Sequence, residues 1–169
     1  MSALRSDAPG SVPGQDETHQ RMRELLSSVA TAVLEEQPGL IGFQDHRPQR
    51  DRSSGGSWRG LQTLCHVTAL LAATGRPASS EAAAAGLIGV VDEVTAARGM
   101  RRRSHRAGPG MTTISWVSPA GDLLELLIGV RVAVRAVSAP FLPGSLDPVT
   151  STSPVTALSP LTPPPRPVR

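Results

Sequence analysis

Four histidines, one cysteine and a run of arginines are the residues of this chain whose chemistry could go beyond packing. His19, His46, His66 and His105 could serve as general bases or metal ligands, and Cys65 as a nucleophile. Their spacing argues against both roles. No two of the histidines stand one helical turn apart, the interval that sets two imidazoles on one helix face around an ion. Cys65 and His66 are adjacent, and neighbours on a helix project about 100° apart, so a packed thiol beside a partly exposed imidazole is expected rather than a nucleophile and its base. Asp45-His46 reads as an isolated pair in a loop, and Asp92-Glu93 falls on the wet face of a helix. Ser53-Ser54-Gly55-Gly56 has the composition of a small anion-binding loop but lacks the Gly-Lys-Ser/Thr ending of a phosphate loop. The expectation is a protein with no catalytic residue, no cofactor and no metal.

The arginines are the other candidate. All 17 basic residues are Arg, with no Lys and no Asn in the chain. Arg101, Arg102, Arg103 and Arg106 lie close enough together to contact phosphates, and Arg47, Arg50, Arg52 and Arg59 make a looser second group. Three features weaken a nucleic-acid reading. A GC-rich genome favours Arg, Ala, Gly and Pro codons. The formal net charge is only +3. An alternating strand at 101–106 splits its charges over two faces and has no aromatic platform among them. An exposed edge strand, where charge discourages aggregation, is the better reading of that run.

The elements that would hold these residues are best defined near the end of the chain. Thr112 to Val117 alternates apolar with polar residues until Ser118-Pro119-Ala120-Gly121, a turn by composition. Leu123 to Ile128 follows, and then Val130 to Val137, in which Val130, Val132, Val134 and Ala136 share one face. Three consecutive strands over 111–138 form an antiparallel meander whose apolar face needs a cover. A single long helix over 122–137 is the competing pattern.

The cover is expected from helices. Met22, Leu25, Leu26, Val29 and Val33 make an apolar stripe in a helix over 17–37, capped by Asp16 or Thr18 and stopped by Pro38-Gly39. Leu40 to Phe43 suits a brief strand, and 47–56 reads as loop. A second helical pattern spans 58–74 through Leu61, Leu64, Cys65, Thr68 and Leu71. A third covers 81–98, capped by Ser79 or Ser80, with Leu87, Ile88, Val91 and Val94 on its stripe. Gly86 and Gly89 within it could admit a close neighbour.

Composition bounds the rest. Aromatic residues are 2% of the chain, with no Tyr, so the core must be built of Leu, Val and Ala. Cys65 is the only cysteine, which leaves no intrachain disulfide and points to a free, buried thiol. The fold class expected is α+β in two layers, an antiparallel sheet covered by two or three helices. It divides into a disordered segment at 1–16, one domain at 17–142 and a disordered Pro-rich tail at 143–169. The tail carries Pro160-Leu161-Thr162-Pro163-Pro164-Pro165-Arg166-Pro167, a spacing that proline-recognition grooves read, but an unstructured terminus is the better reading of it.

The helix from Met22-Arg23-Glu24-Leu25-Leu26 to Glu35-Glu36-Gln37-Pro38-Gly39, the helix at 80–98 and the closing strands around Ser118-Pro119-Ala120-Gly121-Asp122 resemble the small actinobacterial lipoproteins called LppA-like. The likeness covers 18–43 and 111–142. It implies a two-layer α+β domain at the cell envelope with no assigned activity, and it carries over no functional residue. The chain shows no lipobox, no apolar leader at its N-terminus and no membrane span, so as written it is expected in the cytoplasm, or at the envelope if the start site is mis-called. The functional expectation is a non-enzymatic interaction or envelope-related scaffold protein with a protein partner of unknown identity. The alternatives are nucleic-acid binding through the two Arg clusters and a partly mis-called reading frame.

Overall fold

The computed structural model describes residues 12–144, and the expectations of disorder in the N-terminal segment and the Pro-rich tail lie almost wholly outside them. The chain forms α1 (Gln15–Glu36), β1 (Leu40–Arg47), β2 (Arg50–Trp58), β3 (Leu61–Val67), β4 (Leu70–Gly75), α2 (Glu81–Ala96), β5 (Arg101–Gly108), β6 (Met111–Val117), β7 (Leu123–Ile128) and β8 (Val132–Val137). It is an α+β fold on an antiparallel sheet. The strands run in the order β1-β4-β8-β7-β6-β5, with β2 attached through β3 to β8.

The meander is β6-β7-β8, and its register explains its core. Trp116 faces Leu124 and Leu124 faces Ala136, while Ile114 faces Leu126 and Leu126 faces Val134. These six side chains are buried in one cluster with Met22, Leu25, Leu26, Val29 and Val33 of α1 and Leu87 and Val91 of α2. Both helices therefore cover the same face of the sheet. The α1 stripe is the one the helical spacing predicts. Val130, however, lies in the turn before β8 and is 91% exposed, so the buried face of that strand begins at Val132.

The helix ends follow local chemistry. Gly14 stands at the N-cap of α1 without a side-chain cap, so the helix begins before the Asp16 or Thr18 cap expected, and Asp16 and Glu17 sit in its first turn where the helix dipole favours them. The Ser80 side chain caps α2 by accepting from Ala83 N at 3.1 Å. After α2, Gly99 takes φ +71° while Met100 N donates back to Thr95 O, a closure that a left-handed residue permits.

Two regions depart from the sequence reading. The stretch 58–74, expected as helix, is the end of β2 followed by β3 and β4. The stretch 47–56, expected as loop, is mostly β2. Their Leu spacing is compatible with a helix, but Thr63, Val67 and Thr68 are β-branched, and the free edge of β8 supplies backbone partners that local spacing cannot reveal. The β2–β3 turn at Arg59-Gly60 has positive φ at both residues, 48° and 81°, the geometry that matches strand twist in a two-residue hairpin. Arg59 sits over the Trp58 ring at 4.5 Å.

The path of β3 and β4 along β8 creates the opening in the structure. β4 pairs with β8 at Leu71↔Val134 and Ala72↔Ala133, and β3 joins the same edge further on at Val67↔Val137. Between them the chain bends at Thr68-Ala69, and Thr68 ties the bend down: its N donates to Ala136 O and its Oγ1 accepts from Ala136 N, both at 2.9 Å. On the outer side β1 follows β4 and β2 follows β3, separated by Pro48-Gln49. The two outer strands diverge there, directly beneath α1.

A histidine–aspartate cluster beside a cleft

The gap at the bend is a cleft of about 430 Å³. One wall is a face of α1, with His19, Arg23, Leu26, Ala30 and Leu34 at intervals of three and four residues. Phe43 and Asp45 of β1, Leu71 of β4, Gln49 and the Thr68-Ala69 bend form the opposite wall, and His66 of β3 closes one end. Most of the exposed lining surface is apolar, and His19, Arg23, Asp45 and His66 are its titratable groups.

At that end three side chains from three elements converge. His66 Nδ1 lies 2.6 Å from Asp51 Oδ1, and His19 Nε2 lies 3.0 Å and 3.1 Å from the two oxygens of the same carboxylate. Gln15 Nε2 donates to Asp51 Oδ2 at 3.1 Å. The two imidazole centroids are 4.0 Å apart at a tilt of 38°, and Phe141 meets His19 edge-on at 5.7 Å. His66 is held by its backbone as well, donating from N to Ser138 Oγ at 2.9 Å and accepting from Ser138 N at 2.8 Å.

These contacts set the state of the carboxylate. Partial burial of Asp51 pushes its carboxyl up, but the hydrogen bonds from His66 and His19 and the attraction of the two rings outweigh it, so Asp51 is held below the usual carboxylate range. The other ring nitrogens, His66 Nε2 and His19 Nδ1, have no hydrogen-bond partner among the described residues. A carboxylate that fixes the tautomer of an imidazole facing a cleft can orient it as a base or as a ligand.

The sequence reading of the histidines as scattered holds along the chain but not in space. Their common partner, Asp51, falls in the stretch expected as loop. The expected arrangement of Cys65 and His66 is inverted, because strand alternation replaces helical spacing. His66 is 3% exposed, whereas Cys65 is only half-buried, and its thiol is pushed up by that burial, with Arg52 partly opposing. Asp45-His46 lies on β1, not in a loop. Asp45 lines the cleft, while His46 is exposed. Asp92 does not simply face water; it accepts from Trp116 Nε1 at 2.7 Å and pairs with Arg102. At Ser53-Ser54-Gly55-Gly56 the amides of Gly55 and Gly56 are taken by Ser53 and Ser54 hydroxyls, leaving them unavailable to an anion.

The arginines do not gather into one surface. β5 is one edge of the sheet and β1 the other, so Arg101, Arg102, Arg103 and Arg106 stand apart from Arg47. Within β5, Arg102 turns toward α2 and Asp92, while Arg103 and Arg106 line a shallow groove with Thr113, Ser115 and Glu125 on the opposite face. The expected division of charge between the two faces is what the register produces.

Among the described residues no helix is long and apolar enough to cross a membrane. No protein-family model matches the chain, and no curated protein matches it in sequence. The fold does match the crystal structure of a DUF4853 family protein from Actinomyces odontolyticus, with a TM-score of 0.60 and 20% identity over 93% of this chain and 83% of the other. At that identity the likeness is one of fold.

Proposed function

We propose that this protein is a non-enzymatic binding domain that takes a small amphiphile, an apolar body with a polar head, into the cleft between α1 and the sheet. The observation that carries this reading is the cleft. Its volume of about 430 Å³ falls within the roughly 300–1,000 Å³ typical of small-ligand sites. Leu26, Ala30, Leu34, Phe43 and Leu71 would receive the apolar body, and Arg23 with the two imidazoles would receive the head. The elements supporting the walls are secured by the buried core, so a ligand would enter a largely formed site. This narrows the interaction role expected from the sequence to a chemical class of ligand. The envelope location implied by the LppA-like resemblance suits a carrier or receptor of such molecules.

The test is a backbone-amide NMR titration of the metal-free full chain with medium-chain carboxylates, alcohols and amines. Saturable shifts centred on Leu26, Ala30, Phe43 and Leu71 are expected, and Ala30→Trp, which fills the cleft from the helix side, should abolish them while keeping the native spectrum elsewhere. No saturable shift with any head group, or shifts that survive Ala30→Trp, would refute the cleft as the site. Turnover of a bound ligand would refute the non-enzymatic part of the proposal.

A further inference from the structure

We infer that His19, Asp51 and His66 form a binding site for one divalent transition-metal ion of the zinc type, with a coordination position open to the cleft. This rests on the side-chain cluster and not on the amphiphile reading.

The three residues each offer a ligand atom, and these atoms lie within 4.8 Å of one another. They come from α1, β2 and β3, so the set is assembled by the tertiary fold rather than by one segment. Two imidazole nitrogens and one carboxylate oxygen suit zinc, cobalt, nickel or copper; calcium and magnesium prefer all-oxygen shells. A tetrahedron with metal–ligand bonds near 2.1 Å has edges of about 3.4 Å, so the contacts to Asp51, 2.6 Å from His66 and 3.0 Å from His19, would open slightly, and the two imidazole nitrogens, already within 4.8 Å of each other, would settle to the same edge.

The surroundings meet the other demands of such a site. His66 is buried and its strand is fixed to Ser138, so one ligand is pre-positioned. Gln15 donates to Asp51 Oδ2 and orients the carboxylate from outside the metal shell. Proton balance is simple. A metal takes the neutral form of each imidazole at His19 Nε2 and His66 Nδ1, with the ring proton on His19 Nδ1 and His66 Nε2, so a ring that is neutral beforehand releases no net proton. Both nitrogens are without partners among the described residues and can then donate to water or to a cleft ligand. Three protein ligands leave a fourth tetrahedral position, and both histidines line the cleft, so that position faces it.

The test uses the full chain without a histidine tag, stripped with chelator and titrated with Co²⁺ while the visible ligand-field bands are followed, then challenged with Zn²⁺. One Co²⁺ per chain is expected, displaced by Zn²⁺. His19→Gln and Asp51→Asn should each weaken binding by more than about 100-fold, and Gln15→Ala by roughly 10- to 100-fold, the range typical of residues that orient a ligand. His46→Gln and His105→Gln, both exposed and outside the cluster, should leave it unchanged. Because His66 is buried and its replacement could unfold the chain, the decisive variants are those of the partly exposed His19 and of Asp51, with native circular dichroism required of each. Absence of a saturable band, or a band that survives His19→Gln and Asp51→Asn, overturns the site. Loss of binding in His46→Gln or His105→Gln overturns it equally. The amphiphile titration is run metal-free, so either proposal can fail while the other stands.

Discussion

Replacing Asp51 with Ala in the metal-free protein should destabilise the β2–β3 hairpin before it destabilises the meander. Among the described residues β2 pairs only with β3, and β3 holds to β8 at one ladder position, Val67↔Val137, supplemented by the His66–Ser138 bonds and the Leu64–Phe141 bridge. Asp51 adds the link from this hairpin to α1 through His19 and Gln15. Removing the carboxylate leaves His66 Nδ1–H without an acceptor on a side chain only 4% exposed, which costs about 1–3 kcal/mol. His19 is 26% exposed, so water replaces its lost partner at a cost of about 0.5–1 kcal/mol, with a similar amount for Gln15. The sum is about 2–5 kcal/mol in urea unfolding followed by tryptophan fluorescence, and hydrogen exchange should show β2 and β3 amides opening more than those of β6 and β7. The interaction energy between Asp51→Ala and His66→Phe should exceed about 1 kcal/mol, since the phenyl ring needs no acceptor. A loss below about 0.5 kcal/mol, or exchange that rises equally throughout, would show that the cluster does not anchor the hairpin.

Three other outcomes follow from the same structure. Because the Asp51 carboxyl is held below its ordinary value of 3.8, its contribution to stability is fully present above that pH and is lost as pH falls through the lower folded value. Wild type should therefore lose more stability than Asp51→Ala on acid titration below that point, and parallel curves would contradict the assignment. Gly75→Ala should destabilise by more than about 2 kcal/mol, since Gly75 has φ +91° and a Cβ there would lie 2.2 Å from Gly39 O; a thermal midpoint near wild type would refute the required close approach. Gly86→Ala meets only the movable carboxylate end of Glu36, at 2.3 Å, and removes a helix-interior glycine, so it should be neutral or stabilising by up to about 1 kcal/mol in the same melt.

Local periodicity is enough to define the elements whose residues carry a clear repeat. The stripe from Met22 to Val33 can bury its apolar side in only one way, and the alternation in β6 and β8 states which side chains enter the core. Those patterns identify the α+β class, the meander and two covering helices, and they place the Arg101–Arg106 run on an edge strand. The region from Arg47 to Thr74 is legible only in part. Its leucines fit a helix, and nothing local reveals that β8 has an unpaired edge able to draw β3 and β4 into the sheet. The candidate site is hidden with that region. His19 and Asp51 are 32 residues apart and Asp51 and His66 are 15 apart, separations at which spacing along the chain carries no information about distance in space. Only the bend at Thr68-Ala69, which spreads β1 from β2 beneath α1, brings an acid and two imidazoles together and leaves a cleft beside them. Periodicity records which face of an element is buried; the meeting of two faces depends on backbone pairings between distant strands.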